Sequence, residues 1–257
     1  MEQRPARPTI AQIREVSQPP SVTGRSNAEH WIADLYLRKI SPYVTRILLR
    51  TPITANGVTW LMILVGASIG PALLIQGWLG IALALVLSHK QMLIDCCDGE
   101  VARWRETKSP MGIFLDKLGH YLAEGLLPIC FGLRLANWPN EQTTDSIFPF
   151  LGALLAILVI VNKGLNDAVH VARAFSGLPK IQDKSGINMP VKGILRRIRK
   201  LFNFIPAQRM FHSVEFTMYV ALFGTFSQSL EIALGISLFV TIGHIAAIVS
   251  SAKLRNN

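Results

Sequence analysis

The stretch Leu93–Glu124, LIDCCDGEVARWRETKSPMGIFLDKLGHYLAE, decides how this chain is read. Within apolar surroundings it sets Asp95, Asp98, Asp116, Arg103 and His120 at helical spacings. Ionisable side chains at membrane depth are costly and by default mark a functional site. Everything outward from this stretch reads as scaffold for it or as an approach to it.

The chain has 257 residues, half of them hydrophobic, with a mean hydropathy of +0.36. That composition and its long uncharged runs point to a polytopic membrane protein rather than a soluble domain. Val58–Ile75 has no charged residue and approaches the length needed to cross the hydrocarbon core. Further apolar runs lie near Trp78–Ser88, Met111–Leu133, Ile147–Val161, Phe216–Phe226 and Ile232–Ser250. The expected fold is all-α, with about six transmembrane helices. The expected organisation is a flexible cytoplasmic tail over 1–27, an amphipathic interfacial helix over 28–50 and a membrane domain over 51–257.

The formal net charge of +10 follows the loops, so it is not a nucleic-acid signal. Eight basic residues precede Thr51, four lie from Lys90 to Lys108, and ten lie from Lys163 to Arg209. The alternate loops, Gln76–Gly77, Asn137–Ser146 and Ser227–Glu231, carry none. The positive-inside rule then places both termini in the cytoplasm. The cell inner membrane is the expected location. Cys96, Cys97 and Cys130 lack zinc-type spacing and read as reduced packing residues. The first 27 residues hold no apolar core of a signal peptide.

From Ala28 to Leu49, the apolar residues Ile32, Tyr36, Ile40, Val44 and Ile47 recur near helical spacing among Arg38, Lys39 and Arg46. This reads as a membrane-surface helix with a bend at Pro42, the alternative being the packed face of a soluble helix. In PITANGVT, Pro52–Thr59, Asn56 and Thr59 share one side of a starting helix. On spacing alone Asn56 there is an N-cap. Asp95, Asp98 and Ala102 form a stripe with Arg103 beside it, and Gly99 removes a side chain next to Asp98. After the turn at Lys108, Ser109 and Pro110, residues Gly112, Asp116 and His120 follow four apart on one face. Two antiparallel helices would aim these groups at one cavity, at the cytoplasmic edge.

Three converging carboxylates repel one another, and divalent cations relieve that cost. Carboxylate oxygens suit Mg²⁺ or Mn²⁺, which also take substrate phosphates as ligands. Two such ions can stabilise the attacking and leaving oxygens at phosphorus. Arg103 would hold further phosphate oxygens, and His120 can take a proton from an alcohol. The plain structural alternative is a set of ion pairs, Asp95 or Asp98 with Arg103 and Asp116 with Lys117 or Lys90. Lys163, Asn166, Asp167, His170 and Arg173 form either a wall for an anionic or polyhydroxyl substrate or a solvated helix end with a Lys163–Asp167 pair. Ile187–Arg209 interleaves basic and apolar residues, as expected of a segment on an anionic leaflet. Arg209 could instead reach the site. His244 reads as a satisfied packing histidine.

The pattern Asp95-x2-Asp98-Gly99-x2-Ala102-Arg103-x8-Gly112-x3-Asp116-x3-His120 resembles the CDP-alcohol phosphotransferase (CDP-alcohol phosphatidyltransferase) signature, D-x2-D-G-x2-A-R-x8-G-x3-D-x3-D, at every defined position but the last. TANGVT is similar to that family's T-P-N-x-x-T, with Ala55 where Pro is usual. The resemblance implies transfer of a substituted phosphoryl group from a CDP-alcohol, such as CDP-diacylglycerol, to a polar or phosphorylated alcohol, with CMP released. Phospholipid or related polyol-phosphate biosynthesis is the implied setting. It further implies that Asp95, Asp98 and Asp116 hold two divalent metals, Mg²⁺ or Mn²⁺. Asn56, Thr59, Gly99, Ala102, Arg103, Ser109 and Gly112 would enclose the cytidine diphosphate. The stretch looks closest to the inositol-phosphate-using branch, including di-myo-inositol phosphate synthases, with no attached cytidylyltransferase domain. Homodimers are common in the family.

The departure is His120, where the family has an Asp that binds the second metal and acts as base. An imidazole accepts a proton but is a poorer Mg²⁺ ligand. His120 is therefore expected as the base, with Glu124 one turn on as a partial replacement for the missing carboxylate. The competing readings are a catalytically inactive nucleotide-binding or assembly protein and, third, an ion transporter.

Overall fold

The computed structural model describes residues 4–5, 7–23, 32–140, 146–179 and 210–250. Among these residues the chain is all-α, with no strand. It is a polytopic membrane protein, and four helices among the described residues are long and apolar enough to span a bilayer: Ala55–Leu73 (α4), Trp78–Trp104 (α5), Phe148–Phe175 (α7) and Gln228–Val249 (α9). The helix Pro110–Leu135 (α6) has 26 residues, about 39 Å of rise, but carries the ionisable residues of the central stretch. Ser213–Phe223 (α8) has only 11 residues, about 16 Å. This is the fifth of the six expected spans. The basic run 187–209, with Arg209, lies outside the described residues.

The chain divides into two compact units, Met1–Ala123 and Glu124–Asn257. In the first, Ile10–Ser17 (α1) and a single turn, Pro20–Thr23 (α2), precede a π-helical turn at Ala33–Leu37 and the helix Arg38–Leu48 (α3). The segment expected as a flexible tail thus contains a formed helix. Thr9 and Gln12 close a capping box on α1, and its Ile13 and Ser17 are fully buried. Two orphan N–H groups satisfied at the start and an apolar anchor inside are enough to fix a two-turn helix that composition alone does not announce.

The segment expected as a surface helix is described from Ile32, and its irregularity lies one turn before Pro42, at the π turn, rather than at the proline. Pro42 has no N–H to give the Arg38 carbonyl four residues back. That carbonyl instead accepts a hydrogen bond from Gln18 Nε2 at 2.8 Å. Helix α3 is turned inside out. Ser41 and Thr45 are fully buried, while Ile40, Tyr43 and Ile47 are 44%, 56% and 63% exposed. An apolar stripe facing outward suits lipid, and the spanning helix α4 follows directly.

Thr54 caps α4 by accepting from Gly57 N, so Asn56 is not the cap but a first-turn residue free to serve elsewhere. Helices α4 and α5 pack along each other, and α3 lies against α5. Val44, Leu48, Ile53 and Ala102 pack around the buried Ala55, Val58, Cys97 and Val101. Arg105 ties the end of α5 to the α3–α4 turn, donating from Nη2 to the Thr51 carbonyl at 2.8 Å and from Nη1 to that of Ile53. Cys96, Cys97 and Cys130 are all free and buried, as expected.

In the second unit α7 packs with α9. His244 Nδ1 lies 2.5 Å from Asn162 Oδ1, so the final-span histidine is a satisfied packing group. Phe216 meets Phe131 edge-on, lies tilted against Phe211 and stacks on Tyr219, which in turn meets Phe223.

Candidate functional site

The end of α5 and the first half of α6 bring the decisive residues together within the first unit. Ligand atoms of Asp95, Asp116 and His120 all lie within 4.8 Å of one another. His120 Nε2 is 3.3 Å from Asp95 Oδ1 and 3.7 Å from Asp116 Oδ1. Asp116 and His120 meet because they are i, i+4 on α6. Asp95 reaches them from α5. Two carboxylate oxygens and an imidazole nitrogen at such separations fit a divalent ion of the Mg²⁺–Mn²⁺ type, with the imidazole favouring the softer manganese.

Asp98, one turn on from Asp95, accepts a hydrogen bond from Thr59 Oγ1 at 2.8 Å. Thr59 is 3% exposed. This bond crosses from α4 to α5 and fixes one carboxylate oxygen beside the cluster. Thr59 Oγ1 also lies 3.1 Å from the Ala55 carbonyl, so its hydroxyl sits between two acceptors.

Two glycines make room at the site. A Cβ on Gly99 would lie 3.0 Å and 3.2 Å from the Arg103 Nη1 and Nη2 atoms, so the guanidinium folds back along α5 over Gly99. A Cβ on Gly112 would lie 3.1 Å from Asn56 Oδ1. Asn56 and α6 therefore approach closely only because position 112 is bare. Ser109 accepts from Gly112 N at 3.1 Å and serves as a cap for the start of α6. Ala102 is half-buried against the α4–α5 core.

Other expected residues stand elsewhere. Glu124 is 1% exposed, and its Oε1 lies 2.8 Å from Lys163 Nζ and 3.1 Å from His212 Nδ1. That carboxylate serves a buried cluster of the second unit, which removes the basis for treating it as a replacement ligand. The same contact gives Lys163 a partner from another helix. Arg173 turns to the end of its own helix, donating from Nε and Nη2 to the Pro179 carbonyl at 3.1 Å and 2.8 Å.

Sequence reasoning passed over Glu100. It is fully buried on α5 between Asp98 and Arg103. Its Oε1 accepts from Ser41 Oγ at 2.5 Å and Gln18 Nε2 at 2.7 Å, and its Oε2 from Thr45 Oγ1 at 2.6 Å. An acidic residue inside an apolar helix was the available signal.

No curated protein matches the sequence significantly. A family model for CDP-alcohol phosphatidyltransferase matches residues 52–243, a range that holds α4 to α8 and most of α9. With most of its length covered by that match and an Asp/His cluster formed within it, the chain belongs to the CDP-alcohol phosphatidyltransferase family.

Proposed function

We propose that this membrane protein transfers a substituted phosphoryl group from a CDP-alcohol, CDP-diacylglycerol or a similar donor, to the hydroxyl of a polar or phosphorylated alcohol, releasing CMP. The single observation carrying this reading is the convergence of Asp95, Asp116 and His120 inside a chain of that family. Members of the family use a divalent metal. A bound Mg²⁺ or Mn²⁺ would supply Lewis-acid stabilisation of charge on the phosphoryl oxygens. Asp95 and Asp116 would be its first ligands, with Asp98, held by Thr59, the third carboxylate of a two-metal set.

Arg103, lying over Gly99, receives oxygens of the donor diphosphate. Asn56, Thr59, Gly99, Ala102, Ser109 and Gly112 border the nucleotide, the two glycines letting it approach the backbone. His120 accepts the acceptor hydroxyl's proton at Nε2. The acceptor oxygen forms the new bond to phosphorus. The bond from that phosphorus to the bridging oxygen breaks, and CMP departs with the electron pair. The basic loops support a site at the cytoplasmic edge of the cell membrane. The family resemblance supports a homodimer, in a phospholipid or polyol-phosphate pathway.

The closeness of His120 Nε2 to both carboxylates also favours a second reading, in which His120 is a metal ligand rather than the base. CMP release by purified protein in lipid tests both. Several CDP-alcohols and pooled polyol and polyol-phosphate acceptors would be offered with Mg²⁺ or Mn²⁺. Release that Asp95→Asn abolishes establishes the enzyme. His120→Ala that still binds Mn²⁺ but releases no CMP supports the base, and loss of Mn²⁺ binding supports the ligand. A silent native protein restored by His120→Asp would make it a disarmed nucleotide-binding or assembly protein.

A further inference from the structure

The N-terminal segment is fastened to the site helix at an unusual density. Ser17 and Gln18, at the end of α1, together hold Glu100 and Arg103, which are one turn apart on α5. The Ser17 carbonyl accepts Arg103 Nε at 2.6 Å. Gln18 Nε2 donates to Glu100 at 2.7 Å and to the Arg38 carbonyl at 2.8 Å. Ser17 Oγ adds a hydrogen bond to the Glu100 carbonyl at 3.1 Å. Further upstream Arg4 donates from Nη1 to the Arg103 carbonyl at 2.7 Å and pairs with Glu106 at 2.6 Å.

Glu100 is the centre of this fastening. It is fully buried, and the side chains that donate to its carboxylate, Ser41, Thr45 and Gln18, are all neutral. Burying a carboxylate is expensive unless its oxygens are hydrogen-bonded. The arrangement therefore holds together only with α1 and α3 both seated against α5. Seating α1 places the Ser17 carbonyl at Arg103. A hydrogen bond at Nε fixes the plane of a guanidinium while its two Nη groups extend beyond. Here those groups lie over Gly99, the residue that follows Asp98 in sequence.

We propose that the residues 17–18 strap is a working part of the donor site. Glu100 acts as a positioning residue that latches the strap, and the Ser17 main-chain carbonyl sets the orientation in which Arg103 meets the diphosphate. The inference rests on the reading of Arg103 as a diphosphate ligand and adds what aims it. Arginine is required by this scheme. Lysine has no second donor along its stem with which to hold the strap while reaching phosphate.

The test is a double-mutant cycle on CDP binding, measured calorimetrically on the full chain in lipid nanodiscs with Mg²⁺. Glu100→Gln turns one acceptor oxygen into a donor, facing either the Thr45 hydroxyl or the Ser41–Gln18 pair. It should weaken CDP binding about tenfold, the scale of one hydrogen bond to a charged group. Arg103→Lys should weaken binding at least as much. The double variant should be no weaker than Arg103→Lys alone, because Glu100 acts only through Arg103. Fully additive losses, or unchanged affinity in Glu100→Gln, would overturn the strap while leaving the Arg103 reading intact. Native-like binding by Arg103→Lys would overturn both. Should Glu100→Gln fail to fold, Gln18→Ala loosens the same latch and carries the cycle.

Discussion

Replacing Thr59 by valine tests whether the α4–α5 hydrogen bond tunes the proposed metal site. Valine keeps the volume and branching of threonine, so the almost fully buried position stays filled. What is lost is the 2.8 Å bond to Asp98 Oδ2. A hydrogen bond to a charged group is worth about 1.5–3 kcal/mol when its partner is left without it. Outer-shell partners of metal ligands, when removed, cost about 10–100-fold in metal affinity or activity. At about 1.4 kcal/mol per tenfold, that range is about 1.4–2.8 kcal/mol, so the two estimates agree. The assay is Mn²⁺ titration of nanodisc-embedded protein, followed by electron paramagnetic resonance of the free ion. Thr59→Val should bind about 10–100-fold more weakly, and Thr59→Ser, which keeps the hydroxyl, should bind nearly as the native chain does. Native-like affinity in Thr59→Val, with the protein folded, would refute the claim that Asp98 is aimed by this bond.

Gly99→Ala should leave the melting temperature nearly unchanged, because its new methyl meets only the flexible end of Arg103. It should nonetheless lower CDP affinity several-fold by displacing that guanidinium, and equal affinity would count against the diphosphate role. Glu124→Leu strips Lys163 and His212 of a shared, buried partner. Removing one member of a buried pair costs about 3–5 kcal/mol, and partial exposure of Lys163 and His212 reduces this to about 2 kcal/mol. The loss would be read from a denaturation midpoint in detergent. On the reading that His120 holds the ion, His120→Asp exchanges a nitrogen for an oxygen donor and adds negative charge, so Mg²⁺ affinity relative to Mn²⁺ should rise by about tenfold. An unchanged ratio in the same titration would place His120 away from the ion.

Much of the site was legible because helices repeat. Asp95 and Asp98 fall on one stripe of α5, and Asp116 and His120 four apart on α6. Local periodicity, with α5 and α6 expected to run antiparallel, therefore anticipates the grouping of Asp95, Asp116 and His120. The apolar runs likewise announce α4, α5, α7 and α9 through length and composition. Glu100 was illegible for the opposite reason. Its meaning depends on Gln18, Ser41 and Thr45, which are 82, 59 and 55 residues away in sequence. No spacing rule reports a hydroxyl that a separate helix will turn inward. Helix α1 escaped because it is short and polar outside, its two buried residues finding their partners only in the folded unit. Glu124 misled because i, i+4 spacing from His120 says nothing about Lys163 and His212, which claim it from other segments.

Pro42 ordinarily signifies an interrupted helix. In α3 it works as an address label. Having no N–H, it removes the usual helical donor to the Arg38 carbonyl, and Gln18 docks on that carbonyl on its way to Glu100. Recognition between these two segments is thus written partly in an absent hydrogen atom. The donor that an alanine would restore at this position would compete with Gln18 for the carbonyl. A substitution that improves the helix in isolation would loosen its grip on the segment that reaches Arg103.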